Sequence, residues 1–144
     1  MTNSRRPKAY SFLLGLVALV AMSACSVSTA HLTDLKLSAS KDGSNPTTTF
    51  AANDTVYSIS GVANTPDKVT LQWHFVAENV KGIPPNSAQK NDDASVDLAG
   101  DGPSTYTLTP PASGWPSGTY KVIVDLMIDG TQKEEKTTEF TVGS

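Results

Sequence analysis

Few residues in this chain could do chemistry. It has one cysteine, Cys25, two histidines, His31 and His74, and an acidic run of Asp92, Asp93, Asp97 and Asp101. A thiol becomes a nucleophile only beside a base or another group that lowers its pKa. A closed zinc site needs about four Cys/His ligands, more than one cysteine and two histidines supply. No G-x-S-x-G, H-E-x-x-H, P-loop or G-x-G-x-x-G pattern occurs. In Gly114-Trp115-Pro116-Ser117-Gly118 the serine stands one place late for a nucleophile elbow. A Ser/His/Asp triad would have to use His31 or His74, and His74 belongs mid-strand on an outward face. Calcium wants about 6–8 oxygen ligands, and the acidic run does not follow the EF-hand spacing, so it reads as a solvated loop. The expectation is a protein that is not an enzyme and carries no metal or cofactor.

The elements that position these residues begin with an address. Arg5, Arg6 and Lys8 precede an apolar run from Phe12 to Met22, and no acid occurs before Asp34. A basic start followed by roughly 7–15 apolar residues is a secretory signal, and this run is shorter than the ~20 residues a membrane-spanning helix needs. Met22-Ser23-Ala24-Cys25 resembles the lipobox of bacterial lipoproteins. In that family the small residues admit the peptidase, and the cysteine thiol takes a diacylglycerol to become residue one. The resemblance implies a signal peptide over 1–24, lipidation at Cys25, a lipidated tether over 25–30 and a folded domain over 31–144. A competing cut after Ser28-Thr29-Ala30 would free His31, whose amine and imidazole could chelate copper.

Length and charge bound the rest. The 144 residues suit one domain. The net charge of −3 excludes the basic footprint of a nucleic-acid binder. Removing residues 1–24 takes three of the 11 basic residues and no acid, so the body carries 8 against 14, or −6. Charged residues are 17%, below the ~25% of ordinary domains, and Ser and Thr are abundant.

After the signal no helical period is evident, and short alternating runs replace it. Strands are expected over Leu32–Ser38, Thr47–Phe50, Thr55–Gly61, Val69–Val76, Ser95–Leu98, Thr105–Thr109, Thr119–Ile128 and Gln132–Val142. In the clearest, Val69, Leu71, Trp73 and Phe75 face one way and Thr70, Gln72 and His74 the other. Asp129-Gly130 is a two-residue type I′ hairpin signal. Lys81–Asp93, with Pro84-Pro85, reads as a loop. Seven or eight strands with turns at this spacing predict an all-β antiparallel sandwich.

Trp73 in a central strand and Tyr120-Lys121-Val122 opening another resemble the core tryptophan and tyrosine corner of immunoglobulin-like domains. Ile59 and Val122 are then expected where antibody domains place their disulfide. With Trp115 to Val122 and Phe140-Thr141-Val142, the chain resembles small bacterial envelope lipoproteins carrying one Ig-like domain. That resemblance implies a non-catalytic binding or scaffolding module, held in the cell envelope by acyl chains on Cys25. The outer membrane is favoured if the source is Gram-negative, because Ser26 is not the aspartate of inner-membrane retention.

In such a fold the Trp73 and Tyr120 strands pair, so Gln72, His74 and Val76 share an outward face with Ile123 and Met127. This face is the candidate site for a protein partner or for self-association. Two alternatives remain. One is a periplasmic copper-binding protein using His31, since copper-resistance proteins begin this way and share an Ig-like fold. The other rests on Asn45-Pro46-Thr47-Thr48-Thr49-Phe50, which is similar to a loop of chagasin-like protease inhibitors, with Thr49 in place of their glycine.

Overall fold

The computed structural model describes residues 29–65 and 67–143. Cys25 and the apolar run before it lie outside the described residues. Ten strands form two packed sheets: β1 (His31–Leu32), β2 (Lys36–Ser38), β3 (Thr49–Phe50), β4 (Val56–Ala63), β5 (Val69–Val80), β6 (Ser87–Ala88), β7 (Ala94–Leu98), β8 (Gly102–Leu108), β9 (Gly118–Ile128) and β10 (Thr131–Val142). In the smaller sheet β4 pairs with β8 along one edge and with β1 and β2 along the other. The larger sheet runs β3-β10-β9-β5, with β6 and β7 sharing the far edge of β5. All pairings are antiparallel except β3 with β10. The architecture is the expected all-β sandwich, with ten strands among the described residues rather than seven or eight and one parallel pairing in place of a wholly antiparallel arrangement.

The main departures from the expected strand list have local causes. Leu32–Ser38 is broken into β1 and β2 because Leu32 and Leu37 are both buried. They are five residues apart, and an unbroken pleat would send them to opposite faces. The Thr33 amide still donates to the Gly61 carbonyl at 2.8 Å, carrying the β1–β4 pairing one residue further, and the break follows it. β5 runs four residues beyond the expected end at Val76, through a register shift between Ala77 and Asn79. The Lys81–Asp93 loop contains the two-residue β6 and a single 3₁₀ turn over Lys90–Asp92. At the β9–β10 turn Asp129 and Gly130 have φ of 51° and 73°, as a type I′ hairpin requires.

The core lies between the sheets. From β5 come Val69, Leu71, Trp73 and Phe75, and from β9 come Tyr120, Val122, Val124 and Leu126. Trp73 is fully buried and stacks on Tyr106 with centroids 5.4 Å apart. Phe75, Tyr120 and Phe140 form a second stack, an arrangement that adds to simple area burial. The Tyr120 hydroxyl donates to the Pro116 carbonyl at 2.7 Å, which is a tyrosine corner. Trp115 closes this end of the sandwich, its indole nitrogen donating to the Asp54 carbonyl at 2.9 Å.

One core expectation is corrected. Val122 is buried, but Ile59 points outward, where its side chain lies under Gly43 of the β2–β3 loop. The inward positions of β4 are Val56, Ser58, Ser60 and Val62. The apolar ends of the strand, together with Leu108 and Tyr106 across from Val56 and Ser58, set its register. The hydroxyls between them go inside with it. Small side chains here leave room for the Trp73 and Tyr106 rings.

Candidate functional site

The larger sheet turns one face to solvent, and there β5 and β9 pair residue by residue. Thr70 lies opposite Met127, Gln72 opposite Asp125, His74 opposite Ile123, and Val76 opposite Lys121. Period-2 alternation thus brings Gln72, His74, Val76, Ile123 and Met127 together, all of them half-buried. Val76 and Ile123 lie diagonally across the two strands, within reach of each other, whereas Met127 stands beyond Asp125, opposite Thr70.

His74 is held between two carboxylates. Its Nδ1 lies 3.2 Å from Asp93 Oδ1 and its Nε2 lies 3.4 Å from Asp125 Oδ2. A neutral imidazole has one N–H and can donate to only one of them; a protonated ring donates to both. Asp93 reaches this position because the segment before β7 is tied down at two points. The Gln89 amide donates to the Phe75 carbonyl at 2.7 Å, and the Tyr106 hydroxyl donates to the Asp92 carbonyl. Burial of the Tyr106 hydroxyl, with Asp92 and Asp93 nearby, raises its pKa, so it stays a donor at ordinary pH.

Asp125 is 8% exposed, which is unusual for a carboxylate on an outer face. Gln132 of β10 donates to its Oδ1 at 2.9 Å, and Glu135 stands directly opposite it. Burial, then the Glu135 charge, raise the Asp125 pKa, against the pull of His74. Beside this group, Gln72, His74, Asp93, Ala94 and Ser95 line an open depression of about 270 Å³. Further along the face Lys121 Nζ meets Glu78 at 2.6 Å and Glu139 at 3.9 Å. The Glu78 hydrogen bond raises the Lys121 pKa, so the ammonium stays charged.

The acidic run of the β7 region does not converge on one point. Asp93 faces His74, and Asp97 accepts from Lys68 at 2.8 Å and from the Thr70 hydroxyl at 2.7 Å. Asp101 accepts from the backbone amides of Asn64 and Thr65. Among the described residues no group of three or more His, Cys, Asp and Glu is arranged to hold a metal ion. His31 is exposed, with Nδ1 3.2 Å from the Thr29 carbonyl. In the Asn45–Phe50 segment the Thr47 hydroxyl donates to the Thr49 carbonyl, and the Phe50 side chain enters the core.

The sequence reading missed Asp93 and Gln132 as parts of this face, and it did not foresee the burial of Asp125. Asp125 had a signal, a lone carboxylate within Val124-Asp125-Leu126. Asp93 had none, because its place depends on how the thirteen-residue connection from Lys81 to Asp93 folds back.

No protein-family model matches the chain, and no curated protein matches it. Solved structures do match. A beta-glucosidase from Listeria innocua in complex with laminaribiose is 14% identical with a TM-score of 0.50, covering 81% of this chain and 16% of that one. An alkylpurine DNA glycosylase from Pseudomonas fluorescens bound to DNA is 9% identical with a TM-score of 0.47, covering 80% of this chain and 30% of the other. The chain therefore spans less than a third of the length of either protein. The first likeness concerns the fold alone.

Proposed function

We propose that this chain is a lipid-anchored bacterial cell-envelope protein, tethered through Cys25, whose Ig-like sandwich is a non-catalytic binding or scaffolding module. The observation that carries the reading is the outer face of the larger sheet. There Val76 and Ile123 are diagonal neighbours on two long paired strands and Met127 lies beyond Asp125, the set held by the cross-strand contacts of His74, Asp125 and Lys121. A preorganised surface that mixes half-buried apolar side chains with polar groups offers both kinds of contact that a protein interface uses.

The anchor and this face are compatible in space. His31 pairs with Ala63, and the Leu32 amide donates to Glu134 near the start of β10. The tether therefore joins the end of the sandwich that carries the β4–β5 and β9–β10 turns. The five residue-to-residue steps from Cys25 to Ala30 reach at most about 18 Å. That end would rest near the bilayer, with β5 and β9 running away from it and the outer face side-on, open to a neighbour.

Two measurements test the reading. Cys25→Ser should move the protein from the membrane pellet to the soluble fraction, and intact mass should show a diacylglyceryl thioether on Cys25 of the wild type. A free thiol there removes the anchor. Ile123→Ser with Met127→Ser should abolish crosslinked assemblies in the native envelope while leaving the sandwich folded. Unchanged assemblies would mean that the face is idle.

A further inference from the structure

The outer face could be covered by a second copy of this chain, by an anionic bilayer, or by another protein. Its charges separate the three. Asp93, Asp97 and Asp125 stand on or beside it from the β7 side to its centre, and Glu78, Glu135 and Glu139 from β5 and β10. Of these six, Glu78 holds Lys121 and Asp97 holds Lys68. His74 is engaged by Asp93 and Asp125. The apolar pair of Val76 and Ile123, with Met127 beyond Asp125, is thus bordered on both flanks by carboxylates.

Self-pairing about a two-fold axis would set this rim against its own copy, juxtaposing like charges. An anionic leaflet is repelled for the same reason. A basic surface gains on both counts, covering the apolar side chains and meeting the carboxylates. We propose that the face docks a basic segment of a different protein. One of its apolar side chains sits over Val76 and Ile123. Its Lys or Arg side chains reach Glu135 and Glu139 on one flank and Asp93 and Asp97 on the other. This rests on the reading of the domain as a binding module and names the chemistry of its partner. Carboxylates at the rim steer the encounter, so association should be faster at low salt.

The test uses the full-length chain in its native envelope, with a photoreactive aromatic residue at position 123 and the crosslinked peptide sequenced. The expected product is a segment of another protein with net positive charge. That segment, made as a synthetic peptide, should bind the purified protein roughly three- to tenfold more weakly after Glu135→Gln with Glu139→Gln, the range set by two exposed ion pairs. Asp34→Asn with Asp129→Asn removes the same charge from exposed positions outside the face, and should change binding less than twofold. A crosslink to a second copy, to lipid, or to a neutral or acidic segment overturns the proposal. So does equal weakening by both pairs of substitutions. If position 123 captures nothing and Ile123→Ser alters no assembly, it is the binding-module reading itself that fails.

Discussion

The central strands of the two sheets invert each other. β5 buries Val69, Leu71, Trp73 and Phe75 and shows Thr70, Gln72 and His74 to the outside. β4 buries Ser58 and Ser60 between Val56 and Val62, and turns Tyr57 and Ile59 outward. The same pleat thus carries opposite chemistry on the two sides of one core. The contrast shows that inward positions are filled by volume as much as by polarity. β5 supplies the bulk of the core, and β4 supplies small residues, Ser58 standing beside Tyr106, whose ring stacks on Trp73. What β5 gives up on its outer side is apolar area, and what it gains there is a row of groups able to bond across the sheet.

The largest effect should come from breaking the bulky side. Trp73→Ala removes a fully buried ring that stacks on Tyr106. Chemical denaturation should register a loss of about 3–5 kcal/mol. On β4, Ile59→Ala truncates an outward apolar side chain and should cost about 1 kcal/mol, near the centre of ordinary mutational losses. Equal losses at the two positions would mean that the sidedness of β4 is misassigned.

The serines of β4 sharpen the contrast from within one strand. Ser60 Oγ donates to the Thr33 carbonyl at 3.2 Å, whereas Ser58 Oγ is buried with no hydrogen-bond partner among the described residues. An unpaired buried hydroxyl costs stability, and a paired one contributes about 1 kcal/mol net. Ser60→Ala should therefore lower stability by about 1 kcal/mol, and Ser58→Ala should leave it unchanged or raise it by up to about 1 kcal/mol. Thermal unfolding of the two variants side by side gives the sign. A loss at Ser58 as large as that at Ser60 would contradict the difference.

How much of this was legible follows from the same two strands. In β5, β9 and β10 the contrast between alternate residues is strong, and period 2 alone places Trp73, Val122 and Phe140 inside. The Asp129-Gly130 turn then sets the register of the last hairpin. In β4 the alternation is between apolar and hydroxyl residues, and Ile59 reads as core because its hydropathy says so. Only the tertiary neighbours of Val56 and Val62 reverse it. The outer face was legible as a set of strand positions, since Gln72, His74 and Val76 alternate with the core residues of β5. Its electrostatics were not. Asp93 comes from a long connection, and Gln132 and Glu135 come from a strand whose exposed residues look uniformly solvated.

The smallest effect is on the outer side of β5 and β9, and it is a question of sign. Asp125 titrates above the ordinary aspartate value of 3.8, first because it is buried and then because Glu135 faces it, while His74 pulls the other way. From 3.8 up to its folded-state pKa the native protein binds more protons at this site than the unfolded chain does. Wild-type stability must therefore fall as pH rises through that window, and the penalty is complete above it. Asp125→Asn cannot titrate, and its amide oxygen can still accept from Gln132. The variant should gain on the wild type between pH 3 and pH 7, as read by denaturation midpoints at each pH. If it loses instead, the attraction between His74 and the Asp125 carboxylate outweighs desolvation. The outer face would then be held together by the charge that it buries rather than in spite of it.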